Sequence, residues 1–146
     1  MSDLNTVWLC EQIVKDSADA IMFSDVAGNI RLWNKGAEAM FGYSAAEAEG
    51  KSLDLIIPEN LRGRHWEGYH RIMASGVTRY ATELLSVPGI RKDGSRLSLE
   101  FSMVIVRDAD GSIVGTGAII RDVSARWQKE KILREQIKTL EENRAH

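Results

Sequence analysis

The chain has 146 residues, a formal net charge of −2 and 44% hydrophobic residues. This length corresponds to about one domain, which is large enough to bury a core without disulfides or metals. Charged residues make up 27%, near the globular average, and a net charge close to zero argues against a large nucleic-acid footprint. One domain also leaves little room for a sensor together with an output enzyme.

The single cysteine, Cys10, excludes an internal disulfide and a Cys-rich zinc site. Because Cys10 lies in an apolar segment, we expect it to be a small buried hydrophobe. The first residues show no basic region followed by an apolar run, as a secretory signal would. No stretch approaches the roughly 18 uncharged apolar residues of a membrane helix. These features favour a cytoplasmic protein without a membrane partner.

The first half of the chain predicts a helix, a hairpin and short helices. Residues 4–16 have the broad apolar face of an amphipathic helix. Ala20–Val26 and Ile30–Trp33 are strand-like and flank a tight turn at residues 27–29. Asn34 is placed to cap a helix over Lys35–Phe41 that Gly42 ends.

A second group of helical signals follows. Ser44 and Glu47 form a capping box for a short helix. Leu53–Ile57 is a short apolar turn that ends at Pro58. Glu59–Ala74 then predicts a longer helix.

The second half predicts three strands and a final helix. The strand-like segments are Tyr80–Arg91, Arg96–Arg107 and Ile113–Arg121, and Asp-Gly turns separate them. The remainder, residues 122–146, predicts one helix capped by Asp122 or Ser124. Hairpin-like turns at every strand predict an α+β fold, with an antiparallel sheet and helices on one face.

At this point the sequence resembles the PAS sensor family over about residues 10–125. The resemblance implies a five-stranded antiparallel sheet whose short helices enclose a cavity. It also implies binding of a cofactor or small ligand, dimerisation, and a signal that leaves through a flanking helix. We therefore divide the chain into an N-terminal helix (1–16), a PAS domain (17–122) and a signalling helix (123–146). The segments that carry the resemblance are Asp25–Ile30, Trp33–Glu38, Phe41–Ser44 with Glu47 and Gly50-Lys51, Arg91–Ser95 and Arg121–Ser124.

Two branches of this family are excluded by the position of Cys10. The flavin-photoadduct branch and photoactive yellow protein both need a cysteine inside the domain. Here the only cysteine precedes the predicted sheet.

Residues 58–76, PENLRGRHWEGYHRIMASG, resemble the haem-binding helix of FixL-type rhizobial oxygen sensors and of direct oxygen-sensor phosphodiesterases. The histidine seven positions after Pro58 matches that pattern, which implies that His65 is the axial ligand of haem b. The alternative is a hydrogen-bonded core histidine, the commoner role for a single histidine on an apolar helix face.

Helical spacing supports an inward His65. His70 lies about 140° further round the helix, so both histidines cannot point into one pocket. His70 shares a face with Trp66 and Met73 and is the weaker candidate for the iron. His146, the last residue, is expected to be exposed. The stripe at three- and four-residue steps contains Leu61, His65, Gly68, Tyr69 and Ile72.

The strand after this helix departs from the FixL-type pattern. That pattern implies an arginine that responds to bound oxygen, and the matching position is Leu85. Without a cationic donor, a polar diatomic ligand loses a charge-assisted hydrogen bond. A haem here is then expected to favour carbon monoxide or nitric oxide, or to use Arg79 or Tyr80 as the donor.

Alternation along Arg96–Arg107 predicts one inward face, which would form the distal wall or plain core. The members of that face are Leu97, Leu99, Phe101, Met103 and Ile105. Basic residues around the helix would pair with haem propionates, or would simply form a solvated surface. These residues are Arg62, Arg64, Arg71 and Lys92.

The flanking helices are candidates for assembly. Leu133, Ile137 and Leu140 are spaced four and three residues apart, as in a heptad seam. The N-terminal helix offers a second apolar face. We expect a homodimer, or a contact with a downstream domain or protein; the alternative is packing on the chain's own domain.

The sequence therefore predicts a non-enzymatic sensory module that binds haem b and senses a diatomic gas or a redox state. The first alternative is a cofactor-free module that binds a partner or a small organic ligand, and a flavin is a weaker version. No nucleophile–base pair, metal-ligand cluster or phosphate-binding loop argues for an enzyme.

Overall fold

Five strands form one antiparallel sheet in the computed structural model, which describes residues 4–145. The sheet order is β2-β1-β5-β4-β3, so the last strand lies at the centre. The predicted α+β fold, with its antiparallel sheet, is confirmed. The strands are β1 (Ala20–Asp25), β2 (Ile30–Trp33), β3 (Leu85–Ile90), β4 (Arg96–Arg107) and β5 (Ile113–Asp122).

Five α-helices accompany the sheet, with short 3₁₀ turns at Leu53–Ile56, Glu59–Leu61 and Arg79–Ala81. The α-helices are α1 (Thr6–Asp16), α2 (Lys35–Phe41), α3 (Ala45–Ala48), α4 (Arg62–Ser75) and α5 (Ser124–Arg144). Among the described residues, no helix is both long and apolar enough to cross a membrane.

The predicted caps of α2 and α3 are present. The Asn34 carboxamide oxygen accepts from the Ala37 amide at 2.9 Å and from the Ile21 amide at 2.8 Å. Its nitrogen donates to the Val14 carbonyl at 2.7 Å. One buried side chain therefore joins α1, β1 and α2. The capping box of Ser44 with Glu47 is also formed.

The core lies between the sheet and the helices. The predicted inward face of β4 is correct: Leu97, Leu99 and Met103 are buried, and Phe101 and Ile105 are partly buried. The core cluster consists of Ala20, Met22, Ile30, Trp33, Ala37, Phe41, Ala48, Leu53, Ile56, Tyr69, Leu97, Leu99 and Ile120.

The strand predicted over Tyr80–Arg91 is wrong in its first part. Residues Arg79–Ala81 form a 3₁₀ turn, and β3 begins only at Leu85. The Thr78 hydroxyl accepts from the Tyr80 amide at 3.2 Å, and the Arg79 carbonyl accepts from the amide of Glu83. These local bonds curl the backbone away from the extended form.

Other boundaries move by a few residues. The first helix starts at Thr6 because the Asn5 side chain accepts from the Val7 and Trp8 amides. The predicted helix over 59–74 begins as a 3₁₀ turn and becomes α4 at Arg62. The predicted cap of the last helix at Asp122 or Ser124 is wrong: the N-cap of α5 is Val123, because the Asp122 carboxylate instead accepts from the Ser124 amide at 2.9 Å.

Cys10 is exposed, so the prediction of a buried hydrophobe is wrong. No residue of α1 is buried, and Val7 and Ile13 are more than three-fifths exposed. An apolar face shows that a helix can pack against a partner, but not which partner covers it. The described chain leaves the apolar face of α1 exposed. The seam residues Leu133, Ile137 and Leu140 of α5 are likewise exposed. The prediction for His146 lies outside the described residues.

Candidate functional site

Helix α4 packs on the sheet through a face centred on Tyr69, which is 4% exposed. Trp66 and Met73 also pack against the core, and His70 is exposed. Trp66, Met73 and His70 were predicted to share one face of the helix, but they differ in burial. The other members of the predicted stripe are half-buried and border this face: Leu61, His65, Gly68 and Ile72.

His65 holds a buried polar atom without a partner. Among the described side chains, its Nδ1 is the one buried nitrogen or oxygen that makes no hydrogen bond. The imidazole lies beside two rings, with centroid distances of 4.6 Å to Trp66 and 5.7 Å to Tyr69. Burial lowers the pKa of His65, and the Asp54 carboxylate partly opposes this. A neutral imidazole is the form that binds a metal.

Trp66 anchors the beginning of α4. Its indole nitrogen donates to Asp54 Oδ1 at 2.7 Å. The ring lies against Gly28 in the β1–β2 turn, where φ is +84° and any Cβ would overlap the indole. Arg62 supports the same corner by donating to the carbonyls of Asp54 and Ile57.

Tyr69 joins α4 to the inner face of the sheet. Its hydroxyl lies 3.0 Å from Ser24 Oγ and donates to the Asp25 carbonyl. Ser24 Oγ lies 3.5 Å from Thr116 Oγ1, and both of these hydroxyl side chains are buried. Burial raises the pKa of the Tyr69 phenol, so it stays protonated at neutral pH. Sequence reasoning missed Ser24 and Thr116, although alternation from Ala20 and Met22 places Ser24 inward.

Two glycines of α4 have no packing role. An added Cβ at Gly63 or Gly68 would meet no atom within 4 Å. A glycine inside a helix costs about 1 kcal/mol relative to alanine. Gly68 lies three residues after His65 and leaves the helix surface open there. Packing does not require a glycine at this position, because a side chain would fit.

The remaining predicted site residues lie along β3 and β4. Leu85 opens β3 opposite Phe101, and the Tyr80 ring lies 6.4 Å from that of Phe101. Leu99 belongs to the same core cluster as Tyr69, and Met103 is buried. The Tyr80 hydroxyl accepts from Arg79 at 2.9 Å.

The predicted propionate partners are mostly at the surface. Arg64 and Arg71 are exposed, and Lys92 pairs with Glu47. In the part of the chain that the structure describes, no three His, Cys, Asp or Glu side chains could together hold a metal. Within the described residues, a metal at α4 would therefore rest on fewer than three ligands of these types.

Tyr69 belongs to the buried core cluster, and Trp66 and Met73 pack against it, so α4 contacts the core directly. Two hollows, of about 350 and 480 Å³, lie on the surface of α5. Neither hollow is lined by α4 or by the sheet. A large planar ligand between α4 and the sheet would have to disturb the packing of Tyr69 in the core cluster. The His65 imidazole and the open surface at Gly68 fit a haem. Space for the ring would have to be made by a movement of α4.

The PAS fold family matches residues 9–123, and the chain belongs to this family. A PAS domain from Colwellia psychrerythraea superposes with a TM-score of 0.72 at 23% identity, covering 83% of this chain and 99% of that one. PAS domains are in general sensory and non-catalytic modules, and the matches indicate no enzymatic family.

Three relatives span the same region. An uncharacterised protein of Azorhizobium caulinodans is 31% identical over 80% of this chain. Sensor protein FixL of Bradyrhizobium diazoefficiens is 29% identical over 80%, and oxygen sensor protein DosP of Escherichia coli is 30% identical over 70%. The chain covers 16%, 23% and 13% of their respective lengths. It thus corresponds to one sensory module of much longer proteins.

Proposed function

We propose that this PAS module binds haem b through His65 and senses a diatomic gas or a redox state. The observation that carries the proposal is the buried, unpartnered Nδ1 of a neutral imidazole. A buried polar atom without a partner costs about 1–3 kcal/mol, and such a cost at one position of a fold suggests a function there.

Two further observations support this assignment. Gly68 keeps the surface next to His65 free of side-chain atoms. Two relatives are named as sensors, one of them an oxygen sensor. When bound, haem would supply an iron with a coordination position open to a small ligand. Leu61 and Ile72 would border the ring, and Arg64 and Arg71 are free to reach its carboxylates.

The side chains available to bond a bound gas differ from the FixL-type pattern. The Leu85 side chain offers no hydrogen bond, and the largely exposed Arg79 guanidinium donates to the Tyr80 hydroxyl. Bound oxygen would therefore lack a charge-assisted hydrogen bond here. We propose that this site prefers carbon monoxide or nitric oxide to oxygen more strongly than a site with a cationic donor does.

The test is reconstitution of the purified protein with haemin. We expect a Soret band whose position and affinity change in His65→Ala. His70→Ala is the matched control, because His70 lies on the same helix and is exposed. An unchanged band and affinity in His65→Ala would contradict the axial assignment, and so would a loss of binding in His70→Ala alone.

A second candidate is a cofactor-free module that binds a partner or a small organic ligand. The burial of Tyr69 in the core cluster favours it, because a cofactor between α4 and the sheet would have to disturb that packing. This module would show no haemin affinity above that of a non-specific protein. A flavin absorption spectrum from the purified protein would instead support a flavin-binding module.

The output is proposed to leave through α5. The 21 residues of α5 include no buried one, and Leu133, Ile137 and Leu140 are exposed. A short lone helix gains most of its stability from packing, so α5 is proposed to pair in a homodimer or with a downstream domain. Sedimentation across a concentration series tests the homodimer, with Ile137→Glu expected to shift the equilibrium to monomer.

A further inference from the structure

Apart from the Arg107 guanidinium, which donates to the carbonyl of Gly76 just after α4, one hydroxyl of the helix bonds to the sheet in the described chain. In the described chain, Tyr69 is the residue of α4 whose side chain hydrogen-bonds to a strand, at Ser24 and at Asp25. Trp66 and Arg62 bond to residues 54–57, which belong to the helical side of the fold. Separation of α4 from the sheet must therefore break the bonds of Tyr69.

The same hydroxyl is connected to the central strand. Ser24 and Thr116 are register partners in the β1–β5 ladder, and their side-chain oxygens lie 3.5 Å apart. Glycines flank Thr116 on both sides, and Gly115 has φ +155° with the Ser24 carbonyl close against its Cα. This part of β5 has few side chains that hold its position. Strand β5 then continues to Asp122, directly before α5.

We propose that Tyr69 is a positioning residue that latches α4 to the sheet and transmits its position to β5. In the closed state the latch keeps the space beside His65 filled. When a ligand occupies that space, the Tyr69 hydroxyl leaves Ser24, and the change at Thr116 is carried along β5 to α5. The ligand in this inference rests on the proposed function, whereas the latch itself concerns contacts of the chain alone.

The latch has a consequence that a purely structural tyrosine would not have. Tyr69→Phe keeps the ring and removes the bonds that oppose opening. It should weaken the closed fold and yet bind haemin more tightly, by about two- to tenfold, which corresponds to one net hydrogen bond. A residue that only supports the fold would lower stability and affinity together.

The first experiment uses the protein without ligand. Hydrogen exchange followed by mass spectrometry compares wild type with Tyr69→Phe and Ser24→Ala, and Tyr43→Phe is the control for loss of a phenol elsewhere. We expect faster exchange in α4 and in residues 115–118, with unchanged exchange in residues 85–99. Unchanged exchange at 115–118, or a uniform increase over the whole chain, would overturn the latch.

The second experiment is haemin titration of the same variants. Tighter binding by Tyr69→Phe and Ser24→Ala supports the latch, and weaker binding by both overturns it. If neither wild type nor variants bind haemin, the proposed function fails, while the exchange experiment still decides the latch. The two failures are therefore distinguishable.

Discussion

The indole nitrogen of Trp66 donates to Oδ1 of Asp54 at 2.7 Å, while the ring of Trp66 covers Gly28. This contact joins the first turn of α4 to the 3₁₀ turn at Leu53–Ile56 and to the β1–β2 turn. It also fixes the ring that lies against His65. The position of the candidate ligand is therefore set by residues on three separate segments.

Gly28→Ala should displace Trp66. The new methyl group would overlap the indole, and a residue other than glycine at φ +84° adds about 1–2 kcal/mol of backbone strain. Gly50→Ala is a matched control, because φ is +86° there and no atom lies within 4 Å of the added Cβ. In denaturant unfolding we expect Gly28→Ala to cost at least about 1 kcal/mol more than Gly50→Ala. Equal costs would show that Trp66 is not held against this turn.

Asp54→Asn should lower the pKa of His65 further. The charge of Asp54 opposes the effect of burial, and the amide oxygen of asparagine can still accept from Trp66. Titration of the imidazole by nuclear magnetic resonance measures the change directly. A pKa that stays the same or rises would contradict the electrostatic role given to Asp54. Glu59→Gln, an exposed change nearby, is the control for general charge effects.

His65 should make the fold less stable in mild acid. The pKa of His65 in the fold lies below its value of 6.5 in the unfolded chain. At a pH between these two values, the unfolded state therefore binds more protons than the folded state. The contribution of His65 is complete above the pKa of the unfolded chain, about 6.5, and is lost as the pH falls through its lowered pKa in the fold. We expect wild type to lose more stability over this window than His65→Asn. His70→Asn should follow the wild type, and an identical slope in all three proteins would refute the expectation.

Asn34→Ala should be among the most destabilising substitutions of a polar residue. It removes a helix cap and leaves part-buried backbone groups of Ile21 and Val14 without the partners they have in the fold. We expect a loss of about 2–4 kcal/mol in the free energy of unfolding. Ser44→Ala removes an exposed cap and should cost about 0.5–1 kcal/mol. The account of Asn34 fails if the two substitutions cost the same.

Local signals made the fold predictable. The cap that Asn34 provides for the Ala37 amide and the capping box at Ser44 join residues only three apart, so their spacing is visible in the sequence. The hairpin turns at Gly94 and Gly111 are similarly local, since φ is +86° and +83° there. Alternation also placed the inward residues of β4 correctly.

Signals that depend on distant partners were not visible. The hydroxyls of Ser24, Tyr69 and Thr116 come from positions up to 92 residues apart. Cys10 was predicted to be buried because its helix is amphipathic, although amphipathicity does not tell what covers a face. The Arg79–Ala81 turn was read as strand because its side chains suit either conformation, and the bond from Thr78 decided between them.

Chemical rescue of His65→Gly tests the central claim most directly. The variant removes the imidazole and leaves a gap that free imidazole can enter. The account predicts that His65→Gly loses the wild-type absorption spectrum with haemin and regains it when imidazole is added. A His65→Gly protein that shows the wild-type spectrum without imidazole would contradict the assignment of His65 as the iron ligand.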